Sequence, residues 1–455
     1  MPNVSTQETI YALSSGSLPA GVAVIRISGT QAGEILRQLI KGRFPVSRES
    51  ALKKIYDPRD NSVIDHALVL WFEGPKSFTG EDTVEIHCHG GRAVVAALLD
   101  VLGQFPNSRP AEQGEFTRRA FHNNKLDLTE VEGLADLIDA ETEAQRRQAQ
   151  RQMQGALGEL YESWRKALIH SRAMIEAELD FSDEDDVPDS VAEQVWQELD
   201  IIKQQIDSHL KDSRRGERLR SGLQVVLLGS PNAGKSSLMN HLANRDVAIV
   251  TPEAGTTRDV LEVHLDLGGY PVTLLDTAGL REQAGIVEQE GIRRALSHAE
   301  QADLILWTQA PQSAEGVEHE LMTAFSGELW VLQTKVDLQK SYSNPPQAIA
   351  ENSVRTLQCS VKAEGGMDRL LCELTEFAEK NMGLNEAPVI TRERHRHYLN
   401  GCLENLRRAI SMDGYPIELR SEELRAAANQ LGRITGRVDV EDLLDVIFGD
   451  FCIGK

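Results

Sequence analysis

The sequence predicts a multidomain protein of α/β and α class, in which a P-loop α/β domain interrupts a discontinuous helical domain and a mixed α/β domain stands in front. Three observations predict it. The apolar run Gln224 to Leu228 passes through Gly229-Ser230-Pro231-Asn232-Ala233-Gly234-Lys235-Ser236 into a helix-like stretch, Ser237 to Leu242. Helical periodicity flanks that block on both sides. Short β-type runs ending at glycine turns occupy the N-terminal part. At roughly 150 residues per domain, 455 residues suggest three domains, with boundaries at 1–120, 121–220, 221–379 and 380–455. The second and fourth stretches form the helical domain.

In the N-terminal part, Val22 to Ile27 reads as a strand ending at Ser28-Gly29, and Ala67 to Phe72 as another ending at Gly74-Pro75. Ala32 to Ile40 is an amphipathic stretch. Polar and apolar residues alternate from Thr83 to Gly91, so Glu85, His87 and His89 share one strand face. Two imidazoles on one face can ligate zinc, but no third ligand stands at a characteristic spacing, and the reading preferred is of solvated or ligand-facing histidines.

Thr129-Glu130-Val131-Glu132 has the form of a capping box, with Val131, Leu134, Ala135 and Ile138 at helical spacing behind it. Leu157, Leu160, Trp164, Leu168 and Ile175 continue the signal up to the acidic run Asp180 to Asp186, a solvated loop closed by Pro188. Ser190 with Glu193 opens another helix, with Val195, Leu199, Ile202, Ile206 and Leu210 on one face. Lys211, Arg214, Arg215, Arg218 and Arg220 read as a linker into the P-loop domain rather than an RNA patch, since few aromatics accompany them. From Thr391 onward Leu399, Leu403, Leu406 and Ile410 are again in helical register.

Composition narrows the class. A net charge of −22 argues against a protein that grips nucleic acid through its overall field, so any RNA role needs a basic partner or a local patch. Five scattered cysteines without C-x-x-C spacing indicate neither a disulfide framework nor a zinc module and fit a reducing cytoplasm. The N-terminus lacks a basic region followed by an apolar core, and runs such as Ala93 to Leu99 are too short for a bilayer, so neither export nor a membrane span is expected.

The P-loop motif G-x-x-x-x-G-K-S closes backbone N–H groups around phosphate oxygens, extends Lys235 to the outer phosphates and offers the Ser236 hydroxyl to magnesium. Alone it could be a glycine-rich turn. Further elements follow in the order that a nucleotide switch needs. Gly255-Thr256-Thr257-Arg258-Asp259 offers a hydroxyl for the magnesium sphere. Tyr270 to Leu275 is a strand running into Asp276-Thr277-Ala278-Gly279, an aspartate for magnesium and a glycine N–H for the γ-phosphate. Leu329 to Gln333 leads into Thr334-Lys335-Val336-Asp337, where the aspartate can accept the N1 and amino hydrogens of guanine, which adenine cannot supply. Ser360-Val361-Lys362 supplies N–H groups for the guanine O6.

Two positions depart from the common GTPase pattern. Thr334 stands where N-K-x-D has asparagine, so nucleotide affinity is expected to fall while Asp337 still specifies guanine. Leu280 follows Gly279 where Ras-like GTPases carry a water-orienting glutamine, so another group has to position water and neutralise charge on the phosphates.

The P-loop with Asn232, the Gly255 to Asp259 loop, the Asp276 to Arg281 run and Cys452-Ile453-Gly454-Lys455 together resemble the MnmE (TrmE) family of tRNA-modification GTPases. Ser77 to Asp82, His89-Gly90-Gly91, Gly114 to Thr117 and Asn124 to Leu128 extend the resemblance over essentially the whole chain. It implies a Ras-like G domain, a folate-binding N-terminal domain that forms a homodimer, and complex formation with the flavoprotein MnmG (GidA), which brings FAD and NADH. GTP would contact Asn232, Ala233, Gly234, Lys235, Ser236, Ser237, Thr251, Thr256, Thr257, the Asp276 to Gly279 run, Thr334, Lys335, Asp337 and Ser360 to Lys362. Ser236 and Thr257 would hold magnesium; Asn232, Thr251, Glu253 and Thr256 would hold potassium, partly through backbone carbonyls. Glu288 matches the residue proposed to orient water, and potassium between the phosphates would do the electrostatic work of an arginine finger. Arg26, Glu85, Lys125 and Lys455 would bind 5-formyl- or 5,10-methylene-tetrahydrofolate. Cys452 is either a packed cysteine at a helix end or a participant in one-carbon chemistry.

The reading that follows is a potassium-stimulated GTPase that works with MnmG on C5 of the wobble uridine of certain tRNAs, installing a carboxymethylaminomethyl or aminomethyl group. Lys235, Asp276, Glu288 and Cys452 are its candidate catalytic residues. A ribosome-assembly GTPase of the Era or EngA kind is the alternative. It predicts a basic RNA-binding domain, absent from this composition, and leaves Cys452 to Lys455 without a purpose. A folate-dependent aminomethyltransferase with a regulatory G domain would modify without GTP turnover.

Overall fold

The computed structural model describes residues 8–180, 190–211, 213–229, 232–245, 247–249, 261–276, 302–311, 327–338, 353–383, 388–412, 415–438, 440–449 and 451–454. The chain separates into two compact units, one of Met1–Ala135, Gln152–Lys166 and Ala428–Lys455, the other of Asp136–Arg151 and Ala167–Ala427.

The first unit is built on a mixed sheet of β1 (Thr9–Leu13), β2 (Ala20–Ser28), β3 (Ala51–Tyr56), β4 (Val63–Phe72), β5 (Thr83–Gly90) and β6 (Ser108–Pro110), in the order β3-β4-β5-β2-β1-β6. Helices α1 (Ala32–Leu39) and α2 (Arg92–Gly103) lie among these strands in sequence. Ile35, Leu36 and Leu39 of α1 and Leu98, Val101 and Leu102 of α2 join Ile25, Ile27, Val69, Val84 and Ile86 in one core, each burial contributing about 1.5–3 kcal/mol. The period-two alternation of β5 turns Val84, Ile86 and Cys88 inward and leaves Glu85, His87 and His89 on the other face, as the sequence predicts. Strands β1 and β3 escape sequence reading: β1 is short and nearly all buried, and Leu52 and Lys54 of β3 are exposed.

Helix α3 (Glu115–His122) precedes α4 (Leu128–Ile138). The reciprocal cap of α4 is set two residues earlier than the expected Thr129 box. Glu130 N–H donates to Asp127 Oδ1 at 2.9 Å, and Asp127 N–H donates to Glu130 Oε2 at 2.6 Å. Asp127 opens the helix because Thr129 already lies inside it, giving its hydroxyl to Asp127 Oδ1 at 2.7 Å. Helices α5 (Glu143–Met153), α6 (Ala156–Asp180) and α7 (Ser190–Lys211) follow. Leu157, Trp164, Leu168 and Ile175 of α6 and Val195, Leu199, Ile202 and Ile206 of α7 are buried, matching their helical spacing. The acidic stretch 181–186 lies outside the described residues.

The basic stretch expected as a linker is instead helix α8 (Ser213–Ser221). Its arginines find carboxylates: Arg218 pairs with Asp303 at 2.7 Å and Arg220 with Asp136 at 3.0 Å. These bonds fix the segment as a helix where charge density alone suggests solvation.

The second unit centres on a sheet of β7 (Leu223–Gly229), β8 (Leu261–Leu267), β9 (Tyr270–Asp276), β10 (Leu304–Gln309), β11 (Glu328–Gln333) and β12 (Ser353–Gln358), with α9 (Lys235–Ala243) after β7. The order is β12-β11-β10-β7-β9-β8, parallel except for the β8–β9 pair, which is the Ras-like arrangement. Val225 and Leu227 of β7 face one core, Val226 and Leu228 the other, so the strand reads as a continuous apolar run. Helices α10 (Asp368–Met382), α11 (Glu393–Ser411), α12 (Ile417–Thr435) and α13 (Glu441–Gly449) complete the described elements. Leu399, Leu403 and Leu406 are buried along α11 in the expected register.

Candidate functional site

In an open parallel sheet, ligands bind beyond the carboxyl ends of strands where the order reverses. Strand β7 lies between β10 and β9 at that point, and every described nucleotide motif follows the carboxyl end of β7, β9, β11 or β12. Gly229 ends β7 at φ +138°, and a Cβ there would stand 2.1 Å from the Thr308 carbonyl oxygen, so only glycine permits this turn. Gly234 adopts φ +91° at the start of α9, bringing helix N–H groups toward the loop's hollow. Asn232 is also left-handed at φ 62°, a conformation that asparagine tolerates.

Lys235 is buried, with Nζ donating to the Gly229 carbonyl at 2.9 Å across the P-loop. Ser236 Oγ donates to Asp276 Oδ2 at 3.2 Å, and Asp276 is fully buried at the end of β9. A hydroxyl and a carboxylate converging beside a phosphate loop fit a magnesium ion, which prefers oxygen ligands and retains waters.

The base side is a cavity of about 230 Å³ lined by residues that include Ser237, Lys335, Asp337, Ser360 and Lys362. Ser360 Oγ donates to Asp337 Oδ1 at 2.6 Å and accepts the Lys362 N–H at 3.2 Å, which fixes the carboxylate for base recognition. Thr334 is buried, and its hydroxyl donates to the Ala233 carbonyl at 2.5 Å. Lys335 Nζ donates to the Asn232 carbonyl at 2.7 Å. Two consecutive residues of the base-reading motif therefore brace the phosphate loop. Val361 also lines this cavity, as expected; Leu238, Leu338 and Cys359 line it too and were not foreseen, although two of them adjoin predicted residues. Burial pushes the Cys359 thiol up to about 12.

Thr251, Glu253, Thr256, Thr257, Thr277, Ala278, Gly279, Leu280 and Glu288 lie outside the described residues, as does Lys455.

The N-terminal sheet assembles a second polar group. Arg26 on β2 is directly opposite Glu85 on β5, and Arg26 Nη2 meets Glu85 Oε1 at 2.9 Å. The guanidinium lies 5.5 Å from the Phe78 ring centre and 5.6 Å from that of Phe116. This cation and carboxylate, held between aromatic rings, fit a flat heterocycle with acidic substituents. Lys125 Nζ donates to the Pro75 carbonyl at 3.0 Å, and the same lysine lines a separate cavity of about 650 Å³.

His87 Nε2 meets Glu85 at 3.3 Å, whereas His89 Nδ1 meets Asp65 at 2.8 Å. The two imidazoles thus serve different carboxylates, and among the described residues no group of three or more His, Cys, Asp or Glu could hold a metal. Ser77 to Asp82 and Gly114 to Thr117 prove to be framework. Glu81 accepts Ser28 Oγ at 2.9 Å and pairs with Arg119 at 3.0 Å, and Arg119 pairs with Glu115 at 2.9 Å.

Cys452 is exposed, which overturns the packed-cysteine reading. It lies beyond α13, while its neighbour Ile453 bridges to Gln113 and the Gly454 carbonyl accepts Ser14 Oγ at 2.8 Å. Among the described residues no helix is long and apolar enough to cross a membrane.

The Ras-like sheet, the P-loop with its buried lysine, the serine–aspartate pair and the aspartate-floored base cavity define a GTPase of the P-loop class. Residues 9–125 match the family profile described as GTP-binding protein TrmE N-terminus, and residues 128–452 that of the MnmE helical domain. The tRNA modification GTPase MnmE of Parvibaculum lavamentivorans is 54% identical over 98% of this chain and 100% of its own length. The proteins of that name from Brucella ovis and Brucella anthropi are 51% and 50% identical, over 99% of each chain. The chain belongs to the MnmE (TrmE) family of GTPases.

Proposed function

We propose that this GTPase acts in tRNA modification, working as a homodimer with the flavoprotein MnmG to install a carboxymethylaminomethyl or aminomethyl group at C5 of the wobble uridine. The near full-length similarity to proteins named tRNA modification GTPase MnmE is the observation that carries it. The three-part organisation with boundaries at 120, 220 and 379, and the division of labour it implies, belong to the same proposal.

Lys235 turns from the Gly229 carbonyl to the outer phosphates when nucleotide enters, since its present acceptor belongs to the loop that wraps them. Ser236 and Asp276 hold magnesium directly and through water, Thr257 completing the set. Asn232, with Thr251, Glu253 and Thr256, holds potassium. Bound there, the two cations neutralise charge developing on the phosphates. Glu288 orients the attacking water in place of Leu280. Asp337, fixed by Ser360, accepts the guanine N–H groups, while N–H groups of Ser360 to Lys362 meet O6.

Arg26 and Glu85 bind the one-carbon tetrahydrofolate with Lys125 and Lys455, the paired charges on β2 and β5 supporting this assignment. The exposure of Cys452 supports access to the one-carbon unit. FAD and NADH enter through MnmG, which also brings the tRNA to a chain of net charge −22.

The test is reconstitution. Purified protein, MnmG, undermodified tRNA, GTP, NADH and 5,10-methylene-tetrahydrofolate are incubated, and the tRNA nucleosides are read by mass spectrometry. A wobble-uridine adduct that requires GTP hydrolysis is expected. An adduct formed equally with a non-hydrolysable analogue would favour the aminomethyltransferase with a regulatory G domain, and no adduct under any condition would contradict the assignment.

A further inference from the structure

We propose that Asp136 is a positioning residue that couples the nucleotide state to the one-carbon site, by clamping together the two chain segments that enter and leave the nucleotide-binding sheet. The inference rests on the folate reading above. Helix α8 ends at Ser221, just before β7 begins at Leu223; the outgoing chain leaves α10 at Met382 and enters α11 at Glu393. Asp136, in the last turn of α4, has a side chain only 14% exposed. Its Oδ1 accepts Arg220 Nε from α8 at 3.0 Å and Arg392 Nη2 from the outgoing chain at 2.7 Å. A single carboxylate oxygen therefore joins both connectors.

The connectors are also seated against each other. Glu217 pairs with Arg396, and a Cβ on Gly216 would stand 2.3 Å from the Ile390 carbonyl oxygen. On the side toward the sheet, Arg218 pairs with Asp303 at 2.7 Å, and Asp303 Oδ2 accepts the Gln224 N–H of β7 at 3.0 Å. A shift of the nucleotide sheet is thus passed to α8 by bonded contacts. Beside the clamp is a cavity of about 260 Å³ whose lining includes Asp136, Gln145, Arg220 and Thr391. Arg220 has room there to exchange partners without displacing packed side chains, as a two-position switch requires.

Helix α4 carries the change onward. Its capping box at Asp127 and Glu130 begins two residues after Lys125, and at 1.5 Å per residue Asp127 and Asp136 are about 13 Å apart along one helix. Movement of the last turn re-aims the first. Physical coupling of this kind is a free energy linking two ligands, so it is measurable from either side.

The experiment is titration of full-length protein with 5-formyl-tetrahydrofolate by calorimetry, in GDP and then in a non-hydrolysable GTP analogue. The wild-type folate Kd should differ between the two states on the order of 10-fold, and folate should shift the ratio of nucleotide affinities by the same factor. Asp136→Asn and Arg392→Gln should each bring that ratio near one, while folate affinity in GDP stays within about twofold of wild type. The double variant should do no more than either single one, because both remove one joint. Asp136→Asn leaves two arginines without their carboxylate and can unfold; Arg392→Gln removes a charge instead and then decides the matter. An unchanged ratio in a folded variant, or a ratio of one in the wild type, would overturn the clamp. Failure of the wild type to bind folate in either state would refute the folate reading itself, and with it the coupling.

Discussion

The Thr334 hydroxyl donates to the Ala233 carbonyl at 2.5 Å, tying the base-reading loop to the phosphate loop. Threonine thereby retains the brace while lacking the further bonds an asparagine amide could make. Thr334→Val, similar in shape, should leave the Ala233 carbonyl without this donor and weaken GDP binding by about 1–3 kcal/mol, roughly 5- to 150-fold. Discrimination between GTP and ATP should stay unchanged, because Asp337 reads the base; titration with fluorescent nucleotides checks both. A fall in discrimination equal to the loss of affinity would assign Thr334 to base recognition.

Gly158 carries no side chain because Asp127 occupies the space. A Cβ there would stand 2.1 Å from Asp127 Oδ2, and Asp127 is the cap of α4. Gly158→Ala should cost about 1–3 kcal/mol by forcing that carboxylate aside, seen as a lowered midpoint in denaturant unfolding. A midpoint at the wild-type value would show that the cap is dispensable.

Glu115 gives the N-terminal unit an acid-sensitive joint. Burial raises its pKa, but bonds from Arg109, the Glu112 N–H and Arg119 outweigh burial and hold it below its ordinary 4.5. A folded pKa below the unfolded one means that this stabilisation is full above about pH 4.5 and is lost as pH falls through the lowered value. Glu115→Gln should be less stable at pH 7 by about 3–5 kcal/mol, and its stability should change less than the wild type's as pH falls below 4.5. Parallel pH profiles of unfolding free energy would contradict this.

The cysteines should divide by burial. Burial pushes Cys88 up to about 11, and Cys359 and Cys402 up to about 12, whereas Cys372 and Cys452 are exposed. Brief treatment of native protein with iodoacetamide should alkylate Cys372 and Cys452 alone. Peptide mass spectrometry checks this, and early labelling of Cys402 would place it at a solvent-reached surface.

Local patterns disclosed much of this fold. The P-loop strand and helix, the β5 alternation and the α11 stripe each depend on neighbours within a few residues, and sequence periodicity reports those directly. Contacts distant in sequence were not legible. Nothing near Arg218 or Arg220 announces Asp303 or Asp136, so a helix locked by ion pairs read as a charged linker. The α4 cap was displaced by two residues because two overlapping patterns compete and only packing against Gly158 selects Asp127. In the site, motif order located Asp276, Asp337 and Ser360, but the brace from Thr334 to Ala233 joins residues 101 positions apart and became visible only in three dimensions.

The most direct measurement of the central claim is GTP hydrolysis by the purified protein in potassium and in sodium at equal ionic strength, with Asn232→Ala alongside. Potassium should accelerate hydrolysis by at least about tenfold, a change of roughly 1.4 kcal/mol in the barrier, and the variant should lose that advantage while still binding GDP. Equal rates in the two salts would contradict cation-assisted hydrolysis and direct attention to a protein group that supplies the missing charge.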